Sequence, residues 1–365
     1  MLSVDRLETI EALRSLEHEW TALLRRYAGQ SLFLTNEFVT TWWEHFGEGK
    51  QLRVLVVRDG SEVVGIAPLM ISRQSYCGLP VRMLGFLANR HTSRSDFIIP
   101  ERGPEVMAAL AAEMRRSAKD WDVLRLVHVP RESATLSLLA ESLDAEGLKL
   151  FPVEPSRQLC RLAIQGTWEQ HVRKQSKAFR DNIRNYRNRF KKTQGAAITR
   201  HGRPEEVAPC MARFFALENV SWKSNDDEVA FDDNDRRFYT VLAERMALQG
   251  GCDIRFVMVG DRDVGGFLSL VWGDVHYFLL NYFDASERHL CPERQLLAEV
   301  LEDRWSRPDL KWVDFNGDTA FIRSWAPEHQ QFDVLSACHG RLYSSAISGL
   351  KRLKRLLVPS GGVSA

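Results

Sequence analysis

The 365-residue chain lacks any uninterrupted apolar run near the roughly 20 residues that a membrane span needs. Its first residues, MLSVDRLETIEALRSLEHEW, contain several acidic side chains and predict a helix, not a signal peptide. Together these two absences predict a cytoplasmic protein.

The chain also lacks closely spaced cysteines and an excess of charge. Scattered cysteines argue against a disulfide framework and against a zinc site, so no bound metal is expected and most should be small core residues. The formal net charge of +1 gives no global reason to expect nucleic acid as a partner. The six cysteines are Cys77, Cys160, Cys210, Cys252, Cys291 and Cys338.

Common catalytic motifs are missing as well. The sequence contains no GxSxG, no HExxH, no P-loop and no GxGxxG after a strand. Ser221 and Ser269 have no histidine and aspartate partners that the sequence identifies, which argues against a covalent serine mechanism.

The most informative stretch is 253–318. Two strand-like runs flank a polar loop containing Gly260, which predicts a hairpin, and a third aromatic run follows. Pro292 can begin a helix because its missing N–H costs nothing in the first turn. The expected elements are strands at 254–259, 264–272, 275–284 and 312–315, with a helix from Pro292.

This order of elements is typical of acyl-CoA-dependent acyltransferases. Unpaired N–H groups at a helix start bind pyrophosphate. A strand that diverges from its neighbour leaves backbone donors for a thioester oxygen. The segment therefore predicts a thioester donor site.

The first half repeats the hairpin pattern. VLVVRDGSEVVGIAPLMI resembles RFVMVGDRDVGGFLSLVW, which suggests an internal duplication. We expect an α/β protein with two domains, 1–160 and 161–340, each a mixed twisted sheet flanked by helices. In the first domain we expect helices at 7–27 and 36–46, and one strand over 63–72.

Two basic segments are predicted to be amphipathic helices. Residues 168–192 form one long helix with a nearly all-basic face, and 343–358 form a second helix within a basic tail at 341–365. The basic face of the helix at 168–192 is interpreted either as solvated or as a surface that binds polyphosphate, lipid headgroups or RNA. The helix at 343–358 is interpreted either as packed on the second domain with its basic face in water or as resting on an anionic membrane.

A resemblance becomes specific in the second half. Leu217-Glu218-Asn219 with Ser221-Trp222-Lys223, then NYFDAS, the proline-led helix, VDFNGD and Trp325 together resemble the CelD-like branch of the GNAT acyltransferase superfamily. Its members are similar to FemAB enzymes. The resemblance implies tandem GNAT-like domains, acyl-CoA or an acyl carrier protein as donor to the second domain, and no tightly bound cofactor.

Two positions depart from the family pattern. The helix-opening segment reads Cys291-Pro292-Glu293 where the family has Ser-Pro-Gly, so a carboxylate would lie near the donor phosphates. After VDFNGD, a Tyr-Lys pair is replaced, and Arg323 keeps the cation. Direct contacts to the donor are expected from Arg288, His289, Arg294 and Gln295.

Candidate catalytic residues follow from the matching segments. Asp284 at a strand end beside Tyr282 is the best-placed base, and His276 is expected on the same strand face with a near-neutral pKa. Glu218 is a further catalytic candidate. Structural interpretations stay open: Glu218 pairing with Lys223, Asp314 capping the following turn, and Tyr282 and His276 lying in the core. The expected acceptor-binding residues are Trp222, Lys223, Asp314, Asp318 and Arg323.

These observations predict an N-acyltransferase that uses direct attack in a ternary complex. The acceptor is an amine on a lipid base, an envelope saccharide or a small molecule. One alternative is FemAB-like aminoacyl transfer from a charged tRNA, which the basic helix would support. The other is a non-catalytic GNAT-fold scaffold, motivated by the missing glycine after Pro292.

Overall fold

The computed structural model describes residues 2–221 and 230–340, with residues 346, 349 and 350. The chain divides into two compact units, one containing residues up to 157 and residues from 331, and the other 158–330. The predicted boundaries were 160 and 340, so this division places residues 331–340 with the first unit.

The first unit combines two sheets with helices. One sheet has the order β1-β3-β4, and in the other β15 pairs with β7, β7 with β6, β6 with β5 and β5 with β2. The elements are β1 (Leu2–Leu7), α1 (Ile10–Ser15), α2 (Glu17–Arg26), α3 (Asn36–Phe46), β2 (Gln51–Leu52), β3 (Val54–Asp59), β4 (Glu62–Ala67), β5 (Leu69–Tyr76), β6 (Leu79–Phe86), α4 (Gly103–Arg116), β7 (Val123–Pro130), α5 (Ala134–Ala145), β8 (Lys149–Leu150), the start of β9 (Glu154–Ala163) and the end of β15 (Glu328–Cys338).

The N-terminal segment differs from the predicted helix at 7–27. Residues Leu2–Leu7 form a strand that pairs with β3, and two helices follow. Leu2 and Val4 pack against the core of the first unit. Their spacing of two residues is a strand period, and pairing with β3 stabilises it.

The predicted strand at 63–72 is also wrong, because it is interrupted at Pro68. β4 ends at Ala67 and β5 begins at Leu69, and the two strands belong to different sheets. Proline has no N–H to donate to a ladder, which explains the break.

The second unit has one sheet in which β10 pairs with β11, β11 with β12, β12 with β13, β13 with β14 and β14 with β9. All of these pairs are antiparallel except β13 with β14. The elements after β9 are α6 (Trp168–Lys174), α7 (Lys177–Lys192), β10 (Ala196–His201), α8 (Pro204–Val220), α9 (Asp233–Leu248), β11 (Cys252–Val259), β12 (Arg262–Trp272), β13 (Val275–Phe283), α10 (Pro292–Trp305), β14 (Trp312–Asp314) and α11 (Ala320–Arg323). The predicted hairpin and the helix start at Pro292 are confirmed.

The basic segment at 168–192 is two helices, not one. Gln175 has extended backbone angles, and the Ser176 hydroxyl accepts a hydrogen bond from the Phe179 N–H at 3.1 Å. A serine that caps a helix start in this way begins a new helix. This cap explains the break.

The two units share a hairpin with the same irregularity. In β3–β4, Val57 lies opposite Gly65 and Arg58 opposite Val63, and in β11–β12, Val257 lies opposite Gly265 and Met258 opposite Asp263. Each bulge therefore skips one residue at the same place in the hairpin. These matching registers support the predicted internal duplication.

The bulge glycines make room for a helix in each unit. A Cβ on Gly265 would lie 2.7 Å from the Pro292 side chain in the first turn of α10, and one on Gly65 would collide with Val106 in α4. Both helices also begin after a residue in the left-handed region, Arg102 with φ 54° and Cys291 with φ 51°. The same close packing of helix on hairpin occurs twice.

The two faces of the second sheet are covered by different helices. A Cβ on Gly265 would meet α10, whereas one on the adjacent Gly266 would meet Phe214 of α8. Successive strand residues point to opposite faces. Thus α8 covers one face and α10 the other, where α7 packs against α10.

None of the helices in the described part of the chain combines the length and apolar character needed to cross a membrane. The predicted tail helix at 343–358 lies, apart from residues 346, 349 and 350, outside the described residues.

Candidate functional site

A bulge at Leu279 opens the centre of the second sheet. Leu268 lies opposite Leu280 and Ser269 opposite Phe278, so Leu279 is the extra residue on β13. The pairing of β13 with β14 ends close by, at Tyr277 and Asp314. Within the described residues, the rest of β13 therefore has no strand on that side. A strand that diverges from its neighbour in this way is the arrangement that a thioester site uses.

The bulge also changes which side chains share a face. Tyr282 lies opposite Gly266 and contacts Phe214 of α8, with ring centroids 5.1 Å apart. His276 lies before the bulge and packs against Phe278 on the α10 side. An extra residue reverses the alternation of side chains. The prediction that His276 shares a face with Tyr282 is wrong for this reason.

His276 has the environment of a core residue. It is fully buried, and neither ring nitrogen has a hydrogen-bond partner among the described residues. Burial, with a smaller contribution from Arg255 and Arg200, lowers the pKa of His276 to about 3. The imidazole is neutral at neutral pH, and a near-neutral base at this position is not supported.

The N-terminus of α10 lies beside the opening. Asn281, beyond the bulge on β13, donates a hydrogen bond from Nδ2 to Glu293 Oε1 at 3.2 Å. This bond joins the part of β13 beyond its pairing with β14 to the first turn of the helix. Gln295 is buried there, and its Nε2 has no hydrogen-bond partner among the described residues. A buried donor of this kind at a helix N-terminus suits an anionic ligand.

The other predicted donor-binding residues lie around this helix start. Arg288 and His289 are exposed in the short 3-10 turn that precedes it. The Arg294 guanidinium lies over the Tyr186 and Phe321 rings, 5.2 Å from each centroid. Arg189 of α7 donates to the His289 carbonyl oxygen. No local pattern indicated that α7 would lie beside the donor site, because Arg189 and His289 are 100 residues apart in the chain.

Glu218 and Tyr282 belong to one buried network on the α8 side. Glu218 accepts hydrogen bonds from the Phe231 N–H at 3.1 Å and from Arg236 Nε at 3.0 Å, and it is hydrogen-bonded to Tyr282. Burial and the Glu218 charge raise the pKa of Tyr282. The phenol therefore keeps its proton at neutral pH. Trp222 and Lys223, predicted acceptor contacts, lie outside the described residues.

Two predicted carboxylates cap turns. Asp284 accepts from the Ser286 N–H at 2.8 Å and from its hydroxyl at 2.6 Å, and Asp314 accepts from the Asn316 N–H at 2.8 Å. The capping alternative for Asp314 is confirmed. These contacts favour a structural role for Asp284 too, and its catalytic role stays a prediction.

Asp318 lies in a cluster that the sequence did not reveal. Arg323 donates to both of its carboxylate oxygens, at 2.7 and 3.0 Å, and this contact is the main cause of the lowered pKa of Asp318. Cys160 and His329 lie beside it. Burial, aided by Asp318, raises the pKa of the Cys160 thiol to about 12, so it is not an activated nucleophile. Cys160 and His329 are 169 residues apart, and no local pattern links them.

Residues 177–322 match the acetyltransferase (GNAT) domain family. This span contains α7, the bulged strand β13, the α10 start and Asp318. No curated protein matches the chain.

Solved structures match over most of the chain at low identity. FemX is 14% identical, with a TM-score of 0.61, and the match covers 91% of this chain and 96% of FemX. The C-terminal DUF2156 domain of a putative lysylphosphatidylglycerol synthetase from Agrobacterium fabrum is 10% identical, with a TM-score of 0.57 and 97% and 100% coverage. A tandem GNAT protein from the clavulanic acid biosynthesis pathway is 13% identical, with a TM-score of 0.50 and 93% and 99% coverage. The chain therefore has the fold of the tandem GNAT and FemX structures, and its residues 177–322 match the acetyltransferase (GNAT) domain family.

Proposed function

We propose that this chain is an N-acyltransferase that moves an acyl group from acyl-CoA to an amine. The opening at Leu279 carries the proposal, because there the pairing of β13 with β14 ends beside a helix N-terminus. The opening beside β13 suits the thioester oxygen, and the N-terminus of α10 suits the pyrophosphate. An acyl carrier protein, whose donor arm has the same thioester end, is the alternative donor.

The anionic end of the donor would lie at the start of α10. The Gln295 Nε2 group, which has no hydrogen-bond partner among the described residues, and the positive end of the helix dipole favour an anion, while Arg288 and Arg294 add positive charge and His289 adds a polar side chain around them. The Glu293 carboxylate is negative and would repel an anionic donor, and the hydrogen bond from Asn281 keeps this carboxylate beside β13. Glu293→Gly should therefore tighten donor binding by removing a negative charge from the site.

Tyr282 and Glu218 are the groups that we assign to proton transfer. The amine attacks the thioester carbon, the C–S bond breaks and the thiolate leaves. Tyr282 gives its proton to the thiolate, and Glu218 takes the proton lost by the amine and returns it to the phenolate. The hydrogen bond between Glu218 and Tyr282 provides the path for that return.

The acceptor is assigned only by class: an amine on a lipid base, an envelope saccharide or a small molecule. Asp318 and Arg323 are paired with each other, which leaves them less available as separate acceptor contacts. Acceptor loops carry no general code from which the substrate could be read.

One observation favours aminoacyl-tRNA as a second candidate donor. The basic helix α7 lies against the start of α10, where Arg189 contacts the His289 carbonyl. A basic helix beside the donor site could hold the phosphates of a large donor as well as those of CoA. This alternative uses the same opening in the sheet.

A donor assay distinguishes these functions. The protein is incubated with an amine pool and acetyl-CoA, long-chain acyl-CoA or aminoacyl-tRNA, and free thiol and deacylated tRNA are measured. Thiol release that depends on both protein and amine supports the proposal, and RNase-sensitive transfer supports the tRNA alternative. Failure with every donor indicates a scaffold.

A further inference from the structure

Three side chains that are distant in sequence converge in the second unit. Cys160 comes from β9, Asp318 from the loop after β14 and His329 from β15. Cys160 Sγ lies 3.2 Å from Asp318 Oδ1 and 3.6 Å from His329 Nδ1, and these last two atoms are 4.0 Å apart. One thiol, one carboxylate and one imidazole thus place three potential ligand atoms within 4.8 Å of one another.

We propose that Cys160, Asp318 and His329 bind one divalent ion of the zinc class. Zinc bonds to sulfur, nitrogen and oxygen of about 2.0 to 2.3 Å in a tetrahedron place the ligand atoms roughly 3.3 to 3.6 Å apart. The observed S–N separation of 3.6 Å matches this range, whereas the S–O pair at 3.2 Å is slightly closer and the N–O pair at 4.0 Å is wider, so the carboxylate and imidazole would have to move closer together around an ion. A thiolate and an imidazole in one site favour zinc over magnesium or calcium, which prefer oxygen ligands.

The backbone holds the buried ligand in place. The Cys160 N–H donates to the Gly317 carbonyl and its own carbonyl accepts from the Phe315 N–H, each at 3.0 Å. Cys160 is therefore fixed against the loop that carries Asp318.

The surrounding side chains orient the ligands. Arg323 donates hydrogen bonds to both oxygens of the Asp318 carboxylate. Gln158 Nε2 lies 3.2 Å from Asp318 Oδ2 and 2.6 Å from His329 Nδ1. Such outer hydrogen bonds commonly fix metal ligands. A bound ion would replace the thiol hydrogen and the Gln158 contact to His329, while the contact from Gln158 to Asp318 could persist.

The cluster has a route to solvent. Cys160 is buried, but the side chains of Asp318 and His329 are 14% and 42% exposed. An ion can enter from the His329 side, where a fourth coordination position is left for water or a substrate atom. Three protein ligands with an open position are typical of catalytic zinc sites. This proposal does not depend on the acyl-transfer function.

Cobalt(II) titration tests the site in the full-length protein. After removal of metals with a chelator, one equivalent of cobalt should produce a near-ultraviolet thiolate-to-cobalt absorption band, and zinc should abolish the band. Cys160→Ser should remove the band, and His329→Gln should weaken cobalt binding by at least about tenfold. Cys210→Ser is the matched control, because Cys210 is a buried cysteine on α8, outside the cluster.

Thermal unfolding of each variant shows whether it is folded. His329 is substantially exposed, so His329→Gln should fold even if Cys160→Ser does not. A wild-type protein with no band at one equivalent of cobalt overturns the proposal. So does a band that survives Cys160→Ser, or one whose titration is unchanged in folded His329→Gln.

Discussion

The replacement Gln295→Met should change donor affinity and protein stability in opposite directions. Methionine keeps the approximate shape of the side chain and removes the amide. In the wild-type structure this amide is buried at the start of α10, with Nε2 unpartnered among the described residues. If the Gln295 amide had a structural role, its Nε2 group would need a hydrogen-bond partner within the protein. If it binds the donor, its Nε2 group must instead be left to donate to the ligand.

The magnitudes follow from the cost of the hydrogen bond. A hydrogen bond to a charged group contributes about 1.5 to 3 kcal/mol, and each 1.4 kcal/mol is a factor of ten in affinity. We expect acyl-CoA to bind roughly 10- to 150-fold more weakly to Gln295→Met. Without ligand, removal of an unsatisfied buried donor should stabilise the protein by about 1 to 3 kcal/mol.

Calorimetric titration with CoA and denaturant unfolding of the free protein measure the two effects. Gln194→Met is the matched control, because Gln194 is exposed in the connection after α7. It should leave both quantities nearly unchanged. If Gln295→Met lowers stability and leaves CoA affinity intact, the amide has a structural partner and its assignment to the donor is refuted.

Three further variants test other parts of the account. Tyr282→Phe should lower turnover about 10² to 10⁴-fold while the protein stays folded, measured by thiol release and circular dichroism; near-full activity would exclude Tyr282 as the proton donor. His276→Phe should make the free energy of unfolding less dependent on pH. The pKa of His276 is about 3 in the folded protein and about 6.5 in the unfolded chain, so the unfolded state binds more protons. Wild-type stability therefore falls as the pH drops from 6.5 toward 3. The wild type should lose about 2 kcal/mol more than the variant between pH 6.5 and 5 in urea unfolding, and parallel losses would contradict this. Truncation after Gly340 should abolish salt-sensitive binding to anionic vesicles if the tail rests on a membrane; a truncated protein that simply unfolds would indicate that the tail packs in the core.

Local signals in the sequence predicted the frame of the site. The polar loop at Gly260 set the hairpin, and Pro292 marked the start of α10. Each of these two signals depends only on residues that are adjacent in the chain, so it can be recognised from the sequence alone. The bulge at Leu279 has no such signal, since VHYFLLNYFD is apolar on both sides of it. The face of His276 was therefore predicted wrongly.

Features that depend on tertiary contacts could not be predicted in the same way. The strand at Leu2–Leu7 exists because it pairs with β3, and Cys160 meets His329 only after β9 and β15 have folded. At Ser176 a capping residue was present, but the helical period continued across it and concealed the break. Strand pairing and helix capping can override the secondary structure that a periodic pattern of apolar residues predicts, and only the structure shows where they do so.

Hydrogen–deuterium exchange with and without a nonhydrolysable acyl-CoA analogue tests the central claim most directly. We expect slower exchange at saturating analogue in two segments: the part of β13 beyond its pairing with β14, at 278–283, and the start of α10 at 293–296. Protection should weaken in Gln295→Met at a subsaturating analogue concentration. Saturable binding that protects other segments and leaves both of these unchanged would contradict the account.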